Sequence, residues 1–388
     1  MDIFENRFYK LNYRLLSAVG LWPYEKSRLL RMCIVNIPVF LFNITQFFKI
    51  CTSEGNFDIL KEVIPILVAS LAASIKYYFF DLGIFDIKLL MDNMIKDWNM
   101  WKSKEEIKIM EKFAHLGKMY TLGYTGRNIK DFYFTLKEIY IYIIASLFLL
   151  VTFIPPLMDI IIPLNESRPM ELPVYAEYFV NDEDYFYLFY FHISLSIMIN
   201  ITTLVATDTQ LMVFCCHVSG VFAVIGSRLE NFLEKDMSLH GLTDLQRKEC
   251  YKHVSLSIKG HKRALEFVKL MESSFSYSLL LQCGLNIICM SMCLYQIVVL
   301  YGQSAEIVKF IAFVVGELFH LFVASLSGQT IIDYSSEVYF KAYSGLWYEA
   351  PIEVRKLLIL IMKRSLEPSR LTAGKIFTYC LDGFSTVS

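Results

Sequence analysis

The stretch EYFVNDEDYFYLFYFH, residues 177–192, changes from acidic to aromatic at its midpoint. Four carboxylates lie between Glu177 and Asp184, and the rest of the stretch is rich in tyrosine and phenylalanine without a lysine or arginine. Aromatic residues are enriched where a chain passes from water into lipid, because the ring accepts hydrocarbon while a tyrosine hydroxyl still reaches water. This pattern predicts that the chain enters a membrane near Tyr185.

The composition of the whole chain agrees with a membrane location. The 388 residues are 55% hydrophobic and 19% charged, and the mean hydropathy is +0.44. A soluble domain of this size carries more charge on its surface. The net charge of -1 leaves no basic excess for a polyanion, so we expect no nucleic-acid partner.

Seven apolar runs are long enough, at about 20 residues, to cross the hydrocarbon core as helices. They lack strict alternation of apolar and polar residues, so the sequence predicts helices rather than a barrel. We therefore predict an all-α polytopic membrane protein with a single seven-helix membrane domain. Its predicted helices occupy approximately residues 30–51, 61–80, 139–160, 185–207, 275–301, 308–330 and 371–388.

The segments between the apolar runs alternate between long basic stretches and short or acidic ones. The basic stretches are 82–138, 228–272 and 341–370, whereas 163–184 contains a single basic residue. Lysine and arginine near helix ends stay in the cytoplasm. We therefore predict a cytoplasmic N-terminus, an extracellular C-terminus and an extracellular start for residues 177–192. This orientation is opposite to that of the G-protein-coupled receptors and argues against that class.

The long basic stretches also carry apolar residues at helical spacing. LENFLEK at 229–235 and RALEFVKLMESS at 263–274 are examples. Apolar helix faces need a partner to cover them. We therefore predict cytoplasmic helical extensions that form an anchor region, packed within this chain or against a neighbouring subunit.

Short motifs point to few special sites. Of three Asn-x-Ser/Thr sequons, only Asn165 lies on a predicted outer loop and is the predicted glycosylation site. The other two, at Asn43 and Asn200, fall inside predicted membrane helices. The adjacent residues Cys215, Cys216 and His217 lack a second ligand cluster, so the pattern favours helix packing over a metal site.

We find no nucleophile elbow, phosphate loop or paired catalytic carboxylates. The sequence therefore predicts no enzyme activity, no cofactor and no metal. A membrane enzyme would need polar residues from several helices clustered at one depth, and only Glu317 and His320 approach that pattern.

Ionisable residues inside the predicted helices need an explanation, because a charge in lipid is costly. Glu317 and His320 lie mid-membrane, where a functional role and a structural hydrogen bond remain equally open. Lys76 and His192 lie closer to helix ends, where the side chain can reach the interface by snorkelling.

Three stretches together resemble the insect odorant receptors, especially hymenopteran-type members. ELPVYAEYFVNDEDYFYLFYFH at 171–192 is similar to their outer loop and the start of their fourth helix. LSGQTIIDYSSEVYFKAYSGLWYEAP, which begins at 326, and AGKIFTYCLDGF, which begins at 373, resemble their C-terminal region. LNYRLLSAVGLWPY at 11–24 resembles their N-terminal amphipathic segment. The resemblance covers essentially the whole chain.

The resemblance implies an odorant-binding subunit of a nonselective cation channel. The partner would be an obligate co-receptor of the same fold in a heterotetramer, with no G protein required, in the plasma membrane of a sensory neuron dendrite. The ligand would be a small volatile molecule bound in the outer-leaflet half, among the second, third, fourth and sixth helices. Opening would dilate a pore lined by the seventh helices.

A gustatory receptor of the same fold is the alternative. Its usual signature lies at the end of the seventh helix, a part of the fold that this sequence does not reach, while YFVNDEDYFYLF and WYEAP favour the olfactory interpretation. Glu317 stands where family members commonly have glutamine. Residues 371–388 span about 27 Å as a helix, less than the family's seventh helix, so the sequence supports ligand binding more directly than conduction.

Helical geometry nominates the residues of the odorant pocket. One face with spacing i, i+3, i+4 and i+7 is chosen on each of the four helices that the resemblance implicates. An apolar cavity lined by aromatic rings with a few hydroxyls suits a small volatile ligand. The predicted ligand-binding residues are Ser70, Ala73, Ser74 and Tyr77; Ser146, Leu149, Leu150 and Phe153; Tyr187, Tyr190, Phe191 and Ser194; and Phe310, Phe313, Val314 and Glu317.

Overall fold

The protein is built almost entirely from helices. The computed structural model describes residue 4 and residues 8–101, 103–122, 142–143, 145–162, 168, 170–181, 184–233, 243–299 and 304–387. Within them lie α1 (Lys10–Ala18), α2 (Arg28–Thr52), α3 (Phe57–Leu82), α4 (Ile84–Met100), α5 (Lys104–Leu122), α6 (Ala145–Ile161), α7 (Phe186–Glu230), α8 (Asp244–Val299), α9 (Ser304–Ser344), α10 (Ile352–Ser365), the strands β1 (Thr372–Ala373) and β2 (Phe377–Thr378), and α11 (Leu381–Val387).

Five of the described helices are long and apolar enough to cross a membrane, namely α2, α3, α7, α8 and α9. A further apolar helix, α6, is shorter and has a 3₁₀ turn at Val151–Phe153. Local sequence sets where such helices begin: the Asn56 side chain accepts a hydrogen bond of 2.9 Å from the amide of Asp58 and caps α3. The predicted all-α polytopic fold is confirmed.

Three helices are far longer than a bilayer is thick. The 45, 56 and 41 residues of α7, α8 and α9 correspond to lengths of about 68, 84 and 62 Å, against a hydrocarbon core of about 30 Å. The predicted cytoplasmic stretch 228–272 and the predicted membrane helix 275–301 are therefore not separate elements. Most of both lies in α8, which runs through their boundary without a break.

Helix α7 is the centre of the fold. An apolar stretch of 18 residues in this helix is 94% buried, and α5, α8 and α9 pack around the helix. The contact with α5 is close at Gly220, where a Cβ would lie 3.0 Å from the Cβ of Phe113. A larger residue at this position would push α5 away from the central helix.

The last element differs from the sequence prediction. The predicted helix 371–388 is wrong, because the chain forms a β-hairpin with Ala373 opposite Phe377 and starts α11 only at Leu381. The turn places Gly374 at φ +58 and Lys375 at φ 61, which is left-handed backbone that a right-handed helix excludes. The Gly374 amide donates to the carbonyl oxygen of a residue in α8 over 3.1 Å, so tertiary contacts hold the turn.

Candidate functional site

Residues 170–181, the end of the predicted outer loop, fold back onto the ends of the membrane helices. The Gln46 Nε2 donates to the carbonyl oxygen of Tyr175 over 2.7 Å. The amide of Glu177 donates to the carbonyl oxygen of Thr45 over 3.2 Å, and the Glu177 carboxylate pairs with Lys49 at 3.3 Å. These contacts hold the segment against α2 as a lid.

Beneath the lid lies an apolar cluster to which four helices and the lid itself contribute. Its fully buried members pack around Ile193 of α7, and partly buried residues close its sides. An apolar region of this kind, formed by several helices and with few polar groups, is typical of a small-molecule site. We call it the outer cluster, and its members are Phe42, Val174, Ala176 and Ile193, with Ile66, Phe148, Leu172, Tyr178 and Ile197 packed against them.

Aromatic and imidazole contacts close the outer end of this cluster. The Tyr178 ring stacks on Phe189 with centroids 3.9 Å apart, and its hydroxyl lies 2.7 Å from Nδ1 of His192. The His192 Nε2 lies 3.1 Å from the carbonyl oxygen of Pro38. A carbonyl only accepts, so Nε2 carries the proton and Nδ1 accepts from the tyrosine. The structure therefore replaces the snorkelling interpretation of His192 with a hydrogen-bonded link between the lid, α2 and α7.

A polar network lies deeper in the bundle, between α2, α3 and α7. The Ser70 hydroxyl donates to Oδ1 of Asn43 over 2.6 Å, and the Asn200 amide donates to the Ser70 oxygen over 2.9 Å. The Asn43 amide donates to the Ser74 oxygen over 3.3 Å. In lipid, polar side chains find such partners within the protein. The two sequon asparagines thus hold helices together.

Of the four predicted ligand-binding residues on the third helix, two lie beside the outer cluster and two do not. Tyr190 of α7 donates to the carbonyl oxygen of Leu149 over 3.2 Å, and its ring meets Phe153 edge-on at 4.9 Å. These three predicted residues are brought together beside the outer cluster. Ser146 and Leu150 are exposed on the bundle surface and do not join them.

The remaining predictions for α3 and α7 also divide. Ala73 is buried, but Tyr77 lies at the opposite end of α3 and donates to the carbonyl oxygen of Val19 over 3.0 Å. Position 77 lies about 10 Å further along this helix than position 70, away from the outer cluster. Tyr187 and Phe191 are 69% and 63% exposed and face away from the bundle.

The predicted residues on α9 form a cluster of their own. Phe310 and Val314 pack with Cys293 of α8, and Phe313 covers them. They therefore contact the fifth membrane helix and not the outer cluster. Glu317 follows on the same helix. On α7, the hydroxyl of Ser194 is buried. The predicted glycosylation site Asn165 lies outside the described residues.

One polar constellation was missed by the sequence analysis. Asp208 of α7 pairs with Lys76 of α3 and lies 2.8 Å from Nε2 of His320 of α9. The Lys76 side chain is 6% exposed, so the snorkelling interpretation is wrong for this residue. The signal was present in the sequence as three ionisable residues in three apolar helices, but a single sequence does not show which faces of those helices meet.

Within the part of the chain that the structure describes, no group of three or more His, Cys, Asp and Glu residues could hold a metal ion. Cys215 and Cys216 are buried thiols in α7. The Nε2 of His217 lies 3.0 Å from Oδ2 of Asp97. The two cysteines are therefore packed inside the helix bundle, and His217 is hydrogen-bonded to Asp97 of α4.

Replacing Gln46 with Ala is expected to loosen the lid. The variant leaves the Tyr175 carbonyl without its 2.7 Å donor, so amide hydrogen exchange in residues 170–181 should accelerate by about five- to tenfold. Thr45→Val is the matched control. It removes a hydroxyl that donates within its own helix, while the backbone carbonyl of residue 45 still accepts the hydrogen bond from the Glu177 amide. Equal exchange in the two variants would exclude a role for Gln46 in holding the lid.

These helices define a polytopic α-helical membrane protein with a lidded apolar cluster at one end, an arrangement typical of a membrane receptor. A family model described as 7tm odorant receptor matches residues 56–388. The chain belongs to this odorant receptor family.

Curated relatives are similar over part of the chain. The odorant receptor coreceptor of Harpegnathos saltator is 22% identical over 148 residues, which are 38% of this chain and 31% of that protein. Odorant receptor 49a of Drosophila melanogaster is 24% identical over 181 residues, which are 46% of this chain and 44% of that protein. The matches thus span less than half the length of these relatives.

Solved structures share the fold over nearly the whole chain. The olfactory receptor OR5 from Machilis hrabei in complex with eugenol superposes with a TM-score of 0.75 at 13% identity, covering 98% of this chain and 93% of that one. The structure described without eugenol gives a TM-score of 0.67 at 14% identity, covering 97% and 93%. At this identity the likeness shows the fold alone.

Proposed function

We propose that this protein is an odorant-specific receptor subunit that binds a small volatile molecule in the outer cluster and gates a nonselective cation channel. The observation that carries the proposal is the outer cluster itself, an apolar region closed by a lid. Family membership supports the receptor function. The complex of OR5 with eugenol supports a small organic ligand.

The chemistry around the outer cluster specifies the kind of ligand. Its walls are aliphatic and aromatic side chains, which favour an apolar body. The network of Asn43, Ser70, Ser74 and Asn200 contains hydroxyl and amide groups, which can both donate and accept hydrogen bonds. A mostly apolar molecule with one hydroxyl, carbonyl or ester group fits this combination.

The apolar surface at the end of α9 and on α10 supports assembly with a second subunit. Phe340 and Tyr343 are exposed near the end of α9, and Ile359 and Leu360 are exposed on α10. Exposed apolar groups of this size mark interaction surfaces in a region away from lipid. The similarity to odorant receptor coreceptors supports a co-receptor of the same fold as the partner.

The proposed orientation follows the basic residues. The N-terminus and the helices α4, α5 and α10 lie in the cytoplasm, the lid lies outside, and the protein resides in the plasma membrane. The segments 82–138, 228–272 and 341–370 then contribute to the cytoplasmic anchor region. Asn165 remains the proposed glycosylation site on the outer side.

The proposal is tested by recording current from cells that express the chain with an insect co-receptor. A panel of volatile alcohols, esters and phenols is applied, and odorant-evoked cation current is the expected result. No current to any volatile, despite confirmed surface expression of both subunits, would argue against the proposal. A response to nonvolatile tastants instead would favour a gustatory receptor of the same fold.

Replacing Ile197 with Phe is expected to fill the outer cluster, because Ile197 packs against its buried core. The odorant concentration for half-maximal current should rise at least about tenfold, since a small apolar site discriminates strongly against added volume. Leu195→Phe is the matched control, because Leu195 lies two positions away on α7 and is exposed. Equal potency in both variants, at equal surface expression, would place the ligand elsewhere.

A further inference from the structure

A buried charged triad connects three membrane helices on the inner side of the polar network. Asp208 of α7 uses Oδ1 to bind Lys76 of α3 and Oδ2 to bind His320 of α9, the latter at 2.8 Å. Both carboxylate oxygens are engaged, so neither α3 nor α9 can shift relative to α7 without lengthening one of these bonds. In an apolar interior such bonds are stronger than in water, and an unpaired member is costly, so the triad resists separation of the three helices.

The triad borders a small, mostly apolar cavity of about 10 Å³, near the lower limit that a single water molecule needs. Asp208 and His320 share its lining with Gln282 of α8, Ser327 of α9 and Tyr379, the residue directly after β2. Tyr379 is buried. The end of the hairpin therefore lines the same cavity as the carboxylate that joins α3, α7 and α9.

Backbone packing fixes this end of the hairpin closely on α9. A Cβ on Gly328 would lie 2.0 Å from the carbonyl oxygen of Tyr379, so only glycine permits the approach. On the other side, the Gly374 amide donates to Ser276 of α8, and Thr372 donates to Glu272 over 2.6 Å. The hairpin is thus clamped between α8 and α9, directly before α11.

We propose that Lys76, Asp208, His320 and Tyr379 are positioning residues that transmit movement of α3, α7 and α9 to the terminal hairpin and α11. The helices α3 and α7 also carry the outer cluster and its polar network, whereas Tyr379 lies two residues before α11. Movement of either helix that breaks a triad bond displaces a side chain that lines the same cavity as Tyr379. The link to gating rests on the proposed function, but the structural link does not.

The structural link is tested on purified protein by labelling Cys380, a half-buried free thiol next to Tyr379. The other thiols that are not buried, Cys33, Cys51 and Cys283, are first replaced by Ser. In this background we expect His320→Leu to raise the maleimide labelling rate of Cys380 about fivefold, the change that loss of the buried hydrogen bond to Asp208 produces. His320→Gln should restore the slow rate, because its Nε2 can donate to Asp208.

A labelling rate of His320→Leu that stays within twofold of the rate of the background protein would overturn the proposal. The control is Val315→Ala, a change at an exposed position of α9, which should leave the rate unchanged. Acceleration by Val315→Ala equal to that of His320→Leu would also contradict the proposal, since the effect would then be general loosening of α9.

The gating role is tested separately by current with an insect co-receptor. We expect His320→Leu to change the basal and maximal currents more than threefold while the order of odorant potencies is preserved, and His320→Gln to resemble wild type. Wild-type currents in His320→Leu would reject the gating role. If the wild-type protein gives no odorant current, the proposed function fails, and the labelling experiment still decides the structural link.

Discussion

Replacing Asp208 with Asn is expected to destabilise the folded protein by about 3–5 kcal/mol, because the change leaves Lys76 buried without a counter-charge. The side chains of Lys76 and Asp208 are 6% and 13% exposed, so water does not replace the lost partner. Removal of one member of a buried pair costs more than the pair contributes, since the remaining charge keeps its desolvation penalty. The free energy of unfolding, measured by titrating SDS into detergent micelles, checks this value.

The double variant Lys76→Met with Asp208→Asn is the control for this prediction. It removes both charges while leaving a hydrogen-bond acceptor for His320, so it should recover more than half of the lost stability. A stability of Asp208→Asn within about 1 kcal/mol of wild type, less than one ordinary hydrogen bond and its desolvation, would show that Lys76 is solvated and that the triad does not hold the helices together.

Hydropathy predicted the larger features of the fold, because it acts over many residues at once. The aromatic half of residues 177–192 placed the membrane boundary at Tyr185, and α7 begins at Phe186. The apolar runs predicted the other membrane helices for the same reason. Averages of this kind do not detect a turn, so the 371–388 run concealed the left-handed Gly374 and the hairpin around it.

The site was harder to predict, because its geometry depends on helix rotation and on depth. Ser70 and Ser74 join the polar network, but Tyr77, chosen on the same face, lies at the other end of α3. A single sequence fixes neither the rotational register nor which end of a chosen face points outward. Tyr187 and Phe191 illustrate the problem of rotation. They were chosen with helical spacing, but the structure turns both side chains toward the surface.

Contacts between distant segments were beyond sequence reasoning altogether. The lid approaches α2 through Gln46 and Tyr175, which are 129 positions apart. Lys76 and Asp208 are 132 positions apart, and neither shows a local pattern that names its partner. In the sequence, Lys76 and Asp208 could be recognised only as charged residues whose placement in an apolar segment is costly. Such residues are therefore the ones for which a sequence predicts that a partner exists but not which one.

The stability of the proposed cytoplasmic region is expected to fall by about 3 kcal/mol as the pH is lowered from 6.5 to 4, through protonation of His261. This residue lies in α8, before the predicted start of the membrane segment at 275, and its Nε2 is 3.4 Å from the Ser365 hydroxyl. Burial, together with the smaller effect of the Arg364 charge, lowers the pKa of His261 from 6.5 to about 4.

The sign of the effect follows from where the proton binds. The unfolded chain takes up a proton on His261 near pH 6.5, whereas the folded chain resists protonation until about pH 4. Between these values the unfolded state binds more protons, so acid favours unfolding, and the pH dependence from this residue fades out over about one pH unit above 6.5. The difference in slope between wild type and a His261→Gln variant isolates this contribution from that of the carboxylates, which titrate in both proteins.

His253→Gln serves as the matched control, because His253 lies on the same helix and is exposed. It should keep the full wild-type slope of unfolding free energy against pH, while His261→Gln should lose about 3 kcal/mol of pH-dependent stability across the window. Identical slopes for wild type and His261→Gln would mean that His261 is hydrated in the folded protein. The contact between α8 and α10 that buries this imidazole would then have to open on the timescale of proton exchange.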